Sequence, residues 1–218
     1  MRDLEPDRIK LIMELRRQGI TNPQVLAAIE RTPREIFVPE ALRNQAYENT
    51  ALPIGNGQTI SQPYIVGFMS QELRLDKRTV VLEIGTGSGY QAAVLARLCR
   101  RVYTIERHRP LLIRAEKCFA GLGLHSISTR LGDGCKGWPE QAPFQRILVT
   151  AAAETPPPVL LEQLAVGGFM LIPLGEKAGS QNIQRITRTE SGYDTEELLP
   201  VRFVPLVRGI AVEIQPSR

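Results

Sequence analysis

The sequence predicts an α/β fold, a three-layer sandwich with a helical subdomain before it and antiparallel strands at the end of its sheet. Three observations carry the prediction. Between positions 80 and 174, apolar β-branched runs alternate with helical stretches, the order that builds a parallel sheet. At one junction, Gly85-Thr86-Gly87-Ser88-Gly89, a glycine occupies every second position between a strand and a helix. Past Leu174, the alternating stretches 181–189 and 201–207 have no helix between them, so they are expected to pair antiparallel.

In chain order, Ile9, Leu11, Ile12 and Leu15 fall at helical spacing over residues 5–18, and Gly19 stops that helix. Thr21-Asn22-Pro23 opens a second helix with a capping residue before a first-turn proline, and Val25, Leu26 and Ile29 form its apolar stripe. Residues 33–39 start a further short helical piece. Residues 1–45 therefore read as a helical subdomain beside the mouth of the sheet. Residues 46–75 read as a long loop and a helix. The stretch from Tyr47 to Tyr64 holds Gly55, Gly57, Pro53 and Pro63 and has little reason to be so long unless it covers something. Ser61, just before Gln62-Pro63, reads on its own as a helix cap. Residues 76–175 form the core: strands at 80–84, 101–105, 126–131, 144–151 and 169–174, with helices at 91–98 and 109–120 and a short one ending at Leu164. Residues 176–218 are the late strands.

A chain of 218 residues can bury a full core as one domain. Its formal charge of +4 is mild and comes from dispersed arginine, which permits nucleic-acid contact without arguing for it. The apolar runs are far shorter than a membrane span. Residues 1–7 have no apolar leader core, so a cytoplasmic protein is expected. Cys99, Cys118 and Cys135 have no C-x-x-C spacing and read as reduced thiols, not as a disulfide frame or a metal site.

The run Val80–Ile84 is a buried strand that feeds the glycines straight into a helix N-terminus. Glycine exposes bare backbone there, and free N–H groups meet the positive end of the helix dipole. This is a Rossmann-like nucleotide cradle, but its spacing, G-x-G-x-G, misses the dinucleotide pattern G-x-G-x-x-G by one residue. Glu83 at the strand end suits a ligand ammonium and repels a pyrophosphate. Glu106 ends the next strand, about 20 residues past the loop, where a ribose-binding carboxylate is expected. Two acids around a glycine loop suit S-adenosylmethionine, which has a ribose, an amino acid and a sulfonium but no phosphate. Solvated strand ends are the alternative. Asp133, in Gly132-Asp133-Gly134, either accepts from an adenine amino group or merely forms the turn.

The rest of the chain offers little acid–base machinery. His108 and His125 are the two histidines, and neither has partners for a Ser-His-Asp set. A site that binds and orients fits methyl transfer to a carboxylate, which is already nucleophilic at neutral pH. Residues 155–158, Thr-Pro-Pro-Pro, lack the polar acceptor and the stacking aromatic of nucleic-acid amino methyltransferases, and no Pro-Cys nucleophile is present. Three hypotheses are weighed: carboxyl methylation of protein, an RNA, DNA or small-molecule methyltransferase, and a non-catalytic cofactor-binding module.

Residues 53–64, Pro-Ile-Gly-Asn-Gly-Gln-Thr-Ile-Ser-Gln-Pro-Tyr, together with 81–90, Gly132-Asp133-Gly134, Ala142-Pro143-Phe144, 149–152 and 202–207, are similar to the protein-L-isoaspartate O-methyltransferase family in its bacterial form. The likeness covers nearly the whole chain. It implies a methyltransferase sandwich that esterifies the free α-carboxylate of L-isoaspartyl residues in damaged proteins and peptides, the ester then closing to a succinimide. No nucleic-acid or membrane partner, no metal and a monomer are expected. By the same likeness Ser61 is the catalytic serine, orienting the acceptor rather than attacking. Gln58, Thr59 and Ile60 line the S-adenosylmethionine site with Glu83, Gly85, Thr86, Gly87, Ser88 and Gly89. Glu106 meets the ribose, Arg107 beside it is a further cofactor-binding residue, and Asp133 and Gly134 border the adenine. Two departures stand out. Gln145 replaces the usual aspartate, which puts a contact at the strand's start in doubt, and the chain ends at 215–218 without the longer tail of animal members.

Overall fold

The computed structural model describes residues 4–176 and 180–212. The residues at 1–3 and at 213–218 lie outside it, and with them the readings of the first residues and of the short C-terminus. A seven-stranded sheet runs in the order β5-β4-β3-β6-β7-β8-β9. Its strands are β3 (Val80–Ile84), β4 (Arg101–Glu106), β5 (Ile127–Leu131), β6 (Phe144–Val149), β7 (Leu164–Gly175), β8 (Gln181–Arg188) and β9 (Tyr193–Val201). Pairs from β5 to β7 are parallel, while β8 and β9 are antiparallel. The helices between them are α4 (Tyr90–Ala96), α5 (Arg109–Gly121) and α6 (Pro158–Glu162). Val81, Leu82, Ile84, Val102, Ile147 and Leu148 are sealed, as strands covered on both faces must be.

Ahead of the sheet lie α1 (Glu5–Arg17) and α2 (Pro23–Glu30), with 3₁₀ turns at Arg34–Ile36 and Glu40–Gln45 and the helix α3 (Pro63–Glu72). Asn22 caps α2 by accepting from the Gln24 and Val25 amides, and Gly19 takes φ 100° past the end of α1. The subdomain docks on α4. Arg34 is fully buried, its guanidinium 4.9 Å from the Tyr90 ring centroid, while Phe37 meets the same ring edge-on. Burial pushes the Arg34 pKa down to about 10.

Three expectations are corrected. The covering loop contains a hairpin, β1 (Leu52–Gly55) and β2 (Gln58–Ile60), turned by Asn56 and Gly57, both at positive φ. Ser61 caps nothing: α3 begins behind Gln62, and no side chain of its own first turn caps it. The last strand is Tyr193–Val201, not 201–207. Its acidic, exposed residues suit a sheet edge, and the apolar stretch after it leaves the sheet, with Pro205 bridging Ala152. Gln145 keeps the contact in question: its Oε1 accepts from the Val80 amide at 3.0 Å and so ties β6 to the start of β3.

Candidate active site

The chain leaves β3 toward β4 on one side, while β6 pairs with β3 on the other. The segments that follow β3 and β6 therefore run to opposite sides, and a cleft opens where ligands of such sheets bind. Its walls are the hairpin and its exit (Gln58, Thr59, Ile60, Ser61), the glycine turn (Gly85, Thr86, Gly87, Ser88), the end of β4 (Glu106, Arg107, His108), Gly134, and Thr150 and Ala151 after β6. Five separate stretches of sequence thus meet at one point.

The glycine turn is held by geometry that only glycine provides. Gly85, Gly87 and Gly89 have φ of 97°, 54° and 91°. A Cβ on Gly85 would stand 2.5 Å from Thr150 Oγ1, itself bonded to the Ile84 and Gly85 carbonyls. Glu106 organises the loop. Its carboxylate accepts from the backbone amides of Gly87 at 2.7 Å, Arg107 at 2.8 Å and His108 at 2.9 Å, so one side chain ties the glycine turn to the end of β4.

Eleven of the fourteen residues expected at the site line this cleft; Glu83, Gly89 and Asp133 do not. Glu83 is fully buried within the sheet and accepts from Thr104 Oγ1 at 2.5 Å, while Thr104 shares a hydrogen bond with Thr86. Gly89 is spent on the turn into α4, packed against Phe119 and Ala115. Asp133 caps its own 3₁₀ turn through the Cys135 amide. Burial works to raise its pKa, but hydrogen bonds from the Gly209 and Cys135 backbone outweigh that and hold it below the usual value. The adjacent Gly134 does border the cleft, and its missing Cβ is required, since one would lie 2.4 Å from Ile84 Cγ2.

Other wall residues were not expected at the site. Val66, Tyr90 and Gln91 come from helices α3 and α4. Val204, Pro205, Leu206 and Val207 form a strap over the cleft, pinned by hydrogen bonds of the Ala152 amide to Val204 O (2.8 Å) and of the Leu206 amide to Ala152 O (2.7 Å). Beyond it, Arg107 donates to Gly209 O, and the Ala211 amide donates to Arg107 O. Among the described residues, no group of three or more His, Cys, Asp or Glu could hold a metal ion, and no helix is long and apolar enough to cross a membrane.

The residues fit S-adenosylmethionine. A carboxylate stands at the end of β4 for a ribose, and the glycine turn together with Gly134 leaves bare backbone for close approach. Fold and site together define an S-adenosylmethionine-dependent methyltransferase. Residues 7–211 match the family model for protein-L-isoaspartate(D-aspartate) O-methyltransferase. The chain is 60% identical to the protein-L-isoaspartate O-methyltransferase of Paramagnetospirillum magneticum over 98% of this chain and all of that one. It is 63% identical to that of Rhodospirillum rubrum over 96% of this chain and 97% of the relative. A solved protein-L-isoaspartate O-methyltransferase superposes with a TM-score of 0.83 at 28% identity, covering 93% of this chain and 67% of that one. A Plasmodium falciparum structure in complex with S-adenosyl-L-homocysteine has the same fold, with a TM-score of 0.80 at 24% identity over 91% of this chain and 97% of that one. The chain belongs to the protein-L-isoaspartate(D-aspartate) O-methyltransferase family. Its activity is methyl transfer from S-adenosylmethionine to protein L-isoaspartyl residues, which starts their repair.

Proposed function

We propose that Ser61 presents the isoaspartyl α-carboxylate to the methyl donor, and that the cleft acts by binding and alignment alone. The observation behind this is the state of Ser61. It lies in the wall of the cleft, it is not used as a cap, and its hydroxyl makes no hydrogen bond to any described residue. A polar group kept free at such a place is available to a ligand.

Glu106, the glycine turn, Gly134 and the strap would hold the nucleoside, with Gln58, Thr59 and Ile60 closing over it from the hairpin. When bound, S-adenosylmethionine supplies an electrophilic methyl on a cationic sulfur. The acceptor carboxylate is ionised at neutral pH, so the wall of the cleft needs no general base, and a serine that stays protonated suffices to orient it. Holding the acceptor in line is worth up to about 7–11 kcal/mol through proximity. No thiol lines the cleft, and burial pushes Cys99 up to about 12, which removes it as a nucleophile.

The substrates in this reading are isoaspartyl proteins and peptides rather than nucleic acids. The free thiols of Cys99, Cys118 and Cys135 suit a reducing cytoplasm.

The test is Ser61→Ala with an isoaspartyl peptide and labelled donor, scored as base-labile methyl ester against the matched aspartyl peptide. The variant should lose at least about tenfold in kcat/KM with its affinity for S-adenosylhomocysteine unchanged. Parental kcat/KM in the variant would refute the role given to Ser61.

A further inference from the structure

Asn49 lies in the stretch between the Glu40–Gln45 turn and β1, and it makes four hydrogen bonds around the Ser61 corner. Its Oδ1 accepts from the Tyr64 amide at 3.0 Å, and its main-chain carbonyl accepts from Gln62 Nε2 at 2.9 Å. Its Nδ2 donates to Glu14 Oε1 at 2.8 Å and to Gln18 Oε1 at 3.0 Å, both on α1. The partners fix the orientation of the amide: a backbone N–H can only donate and an ionised carboxylate can only accept. Gln18 Nε2 also donates to Glu14 Oε1, so the two α1 side chains brace each other.

This arrangement answers a need created at Ser61. The first amides of a helix have no partner within it, and here neither Ser61 nor Gln62 caps α3. Asn49, fourteen positions before Pro63 in the chain, supplies the missing acceptor from outside the helix. It holds the residue just after Ser61 by one bond and the first turn of α3 by another, and it anchors both to α1. The serine itself is left unbonded while the backbone that carries it is fixed.

We propose that Asn49 is a positioning residue for methyl transfer: it couples α1 to the Ser61 corner and fixes where the serine hydroxyl meets the acceptor. This rests on the reading of Ser61 given above, and it predicts a defect in kcat that is separate from cofactor binding.

The experiment compares Asn49→Ala, Asn49→Asp, Asn49→Asp/Glu14→Gln and Ser61→Ala. It measures kcat and KM on an isoaspartyl peptide, S-adenosylhomocysteine affinity by calorimetry, and the melting temperature. Asn49→Ala should lose about tenfold in kcat, because a small misplacement of an aligned acceptor is costly. Its S-adenosylhomocysteine affinity should stay within about twofold of the parent. Asn49→Asp keeps the acceptor for Tyr64 but sets a carboxylate against Glu14. Adding Glu14→Gln restores the bond with donor and acceptor exchanged, so the double variant should recover most of the lost kcat. Should Asn49→Ala fail to fold, the Asp pair decides. Parental kcat in Asn49→Ala beside an impaired Ser61→Ala, or a double variant no better than Asn49→Asp, overturns the proposal while the Ser61 reading stands. Parental kcat in Ser61→Ala removes that reading, and the proposal falls with it.

Discussion

At the scale of single residues, Glu83 and Glu106 show how far neighbouring acids can diverge. Glu106 is met by three backbone amides and lines the cleft, whereas Glu83 is sealed in the sheet with one side-chain bond. Burial pushes the Glu83 carboxyl up to about 8, the bond from Thr104 opposing the rise and Glu106 adding to it. The folded state thus keeps a proton that the unfolded chain has released above the ordinary carboxyl value of 4.5. Stability from this group is full below the unfolded value and is lost as pH rises through the folded one. The melting temperature of the ligand-free protein should fall as pH is raised across that window, and Glu83→Gln should flatten the fall. A parent whose melting temperature holds steady there would mean that the carboxyl is ionised and paired. The sequence marked both acids by their places at strand ends, but it could not separate them. Both side chains leave the same face of the sheet, since Glu83 pairs with Thr104 and Glu106 lies two residues further along β4; what differs is depth, Glu83 being closed in beside Thr104 while Glu106 ends its strand among the Gly87, Arg107 and His108 amides. Asp133 was ambiguous for the same reason, and the structure spends it on a turn.

At the scale of elements, the glycine turn was legible because its backbone demands glycine. Gly89→Ala puts this to a test: φ is 91°, and the new Cβ would stand 2.8 Å from the Phe119 ring and 3.0 Å from Ala115 Cβ. The left-handed backbone alone costs about 1–3 kcal/mol, and the clash with α5 adds to it. Denaturant unfolding should show the variant less stable by more than about 2 kcal/mol, and parental stability would mean that α5 yields without cost. The hairpin was missed: Asn56-Gly57 is a strong short hairpin signal, but two prolines and two glycines pull such a stretch toward the reading of a plain loop. The exchange of the last strand has another physical source. Residues 201–207 resemble a strand because apolar residues alternate along them, but Val201 and Phe203 pack on the core and the residues from Val204 to Val207 line the cleft. The true edge strand, Tyr193–Val201, carries charge outward and is held by its pairing with β8.

At the scale of the whole molecule, the cleft is complete only because the chain returns to it after the sheet is finished. The strap at 204–207 is fastened to Ala152 at the end of β6, and the residues after it are fastened to Arg107 at the end of β4, so the segment crosses the divide between the two halves of the sheet. No periodicity in a sequence announces such a crossing, because its bonds are made to loops rather than to a neighbouring strand. A chain ended after Val201 keeps all seven strands and both layers of helices but loses the wall made by Val204, Pro205, Leu206 and Val207. It also loses the Phe203 amide bond to Gln181 Oε1 and the packing of the Phe203 ring on the core. The truncated protein should therefore keep its far-ultraviolet circular dichroism and melt some degrees lower. Its S-adenosylhomocysteine affinity should fall by at least about tenfold, since each tenfold needs only about 1.4 kcal/mol and four wall residues are removed. Parental affinity by calorimetry would show that the strap covers the ligand without holding it, and the nucleoside would then be bound by the glycine turn, Glu106 and Gly134 alone.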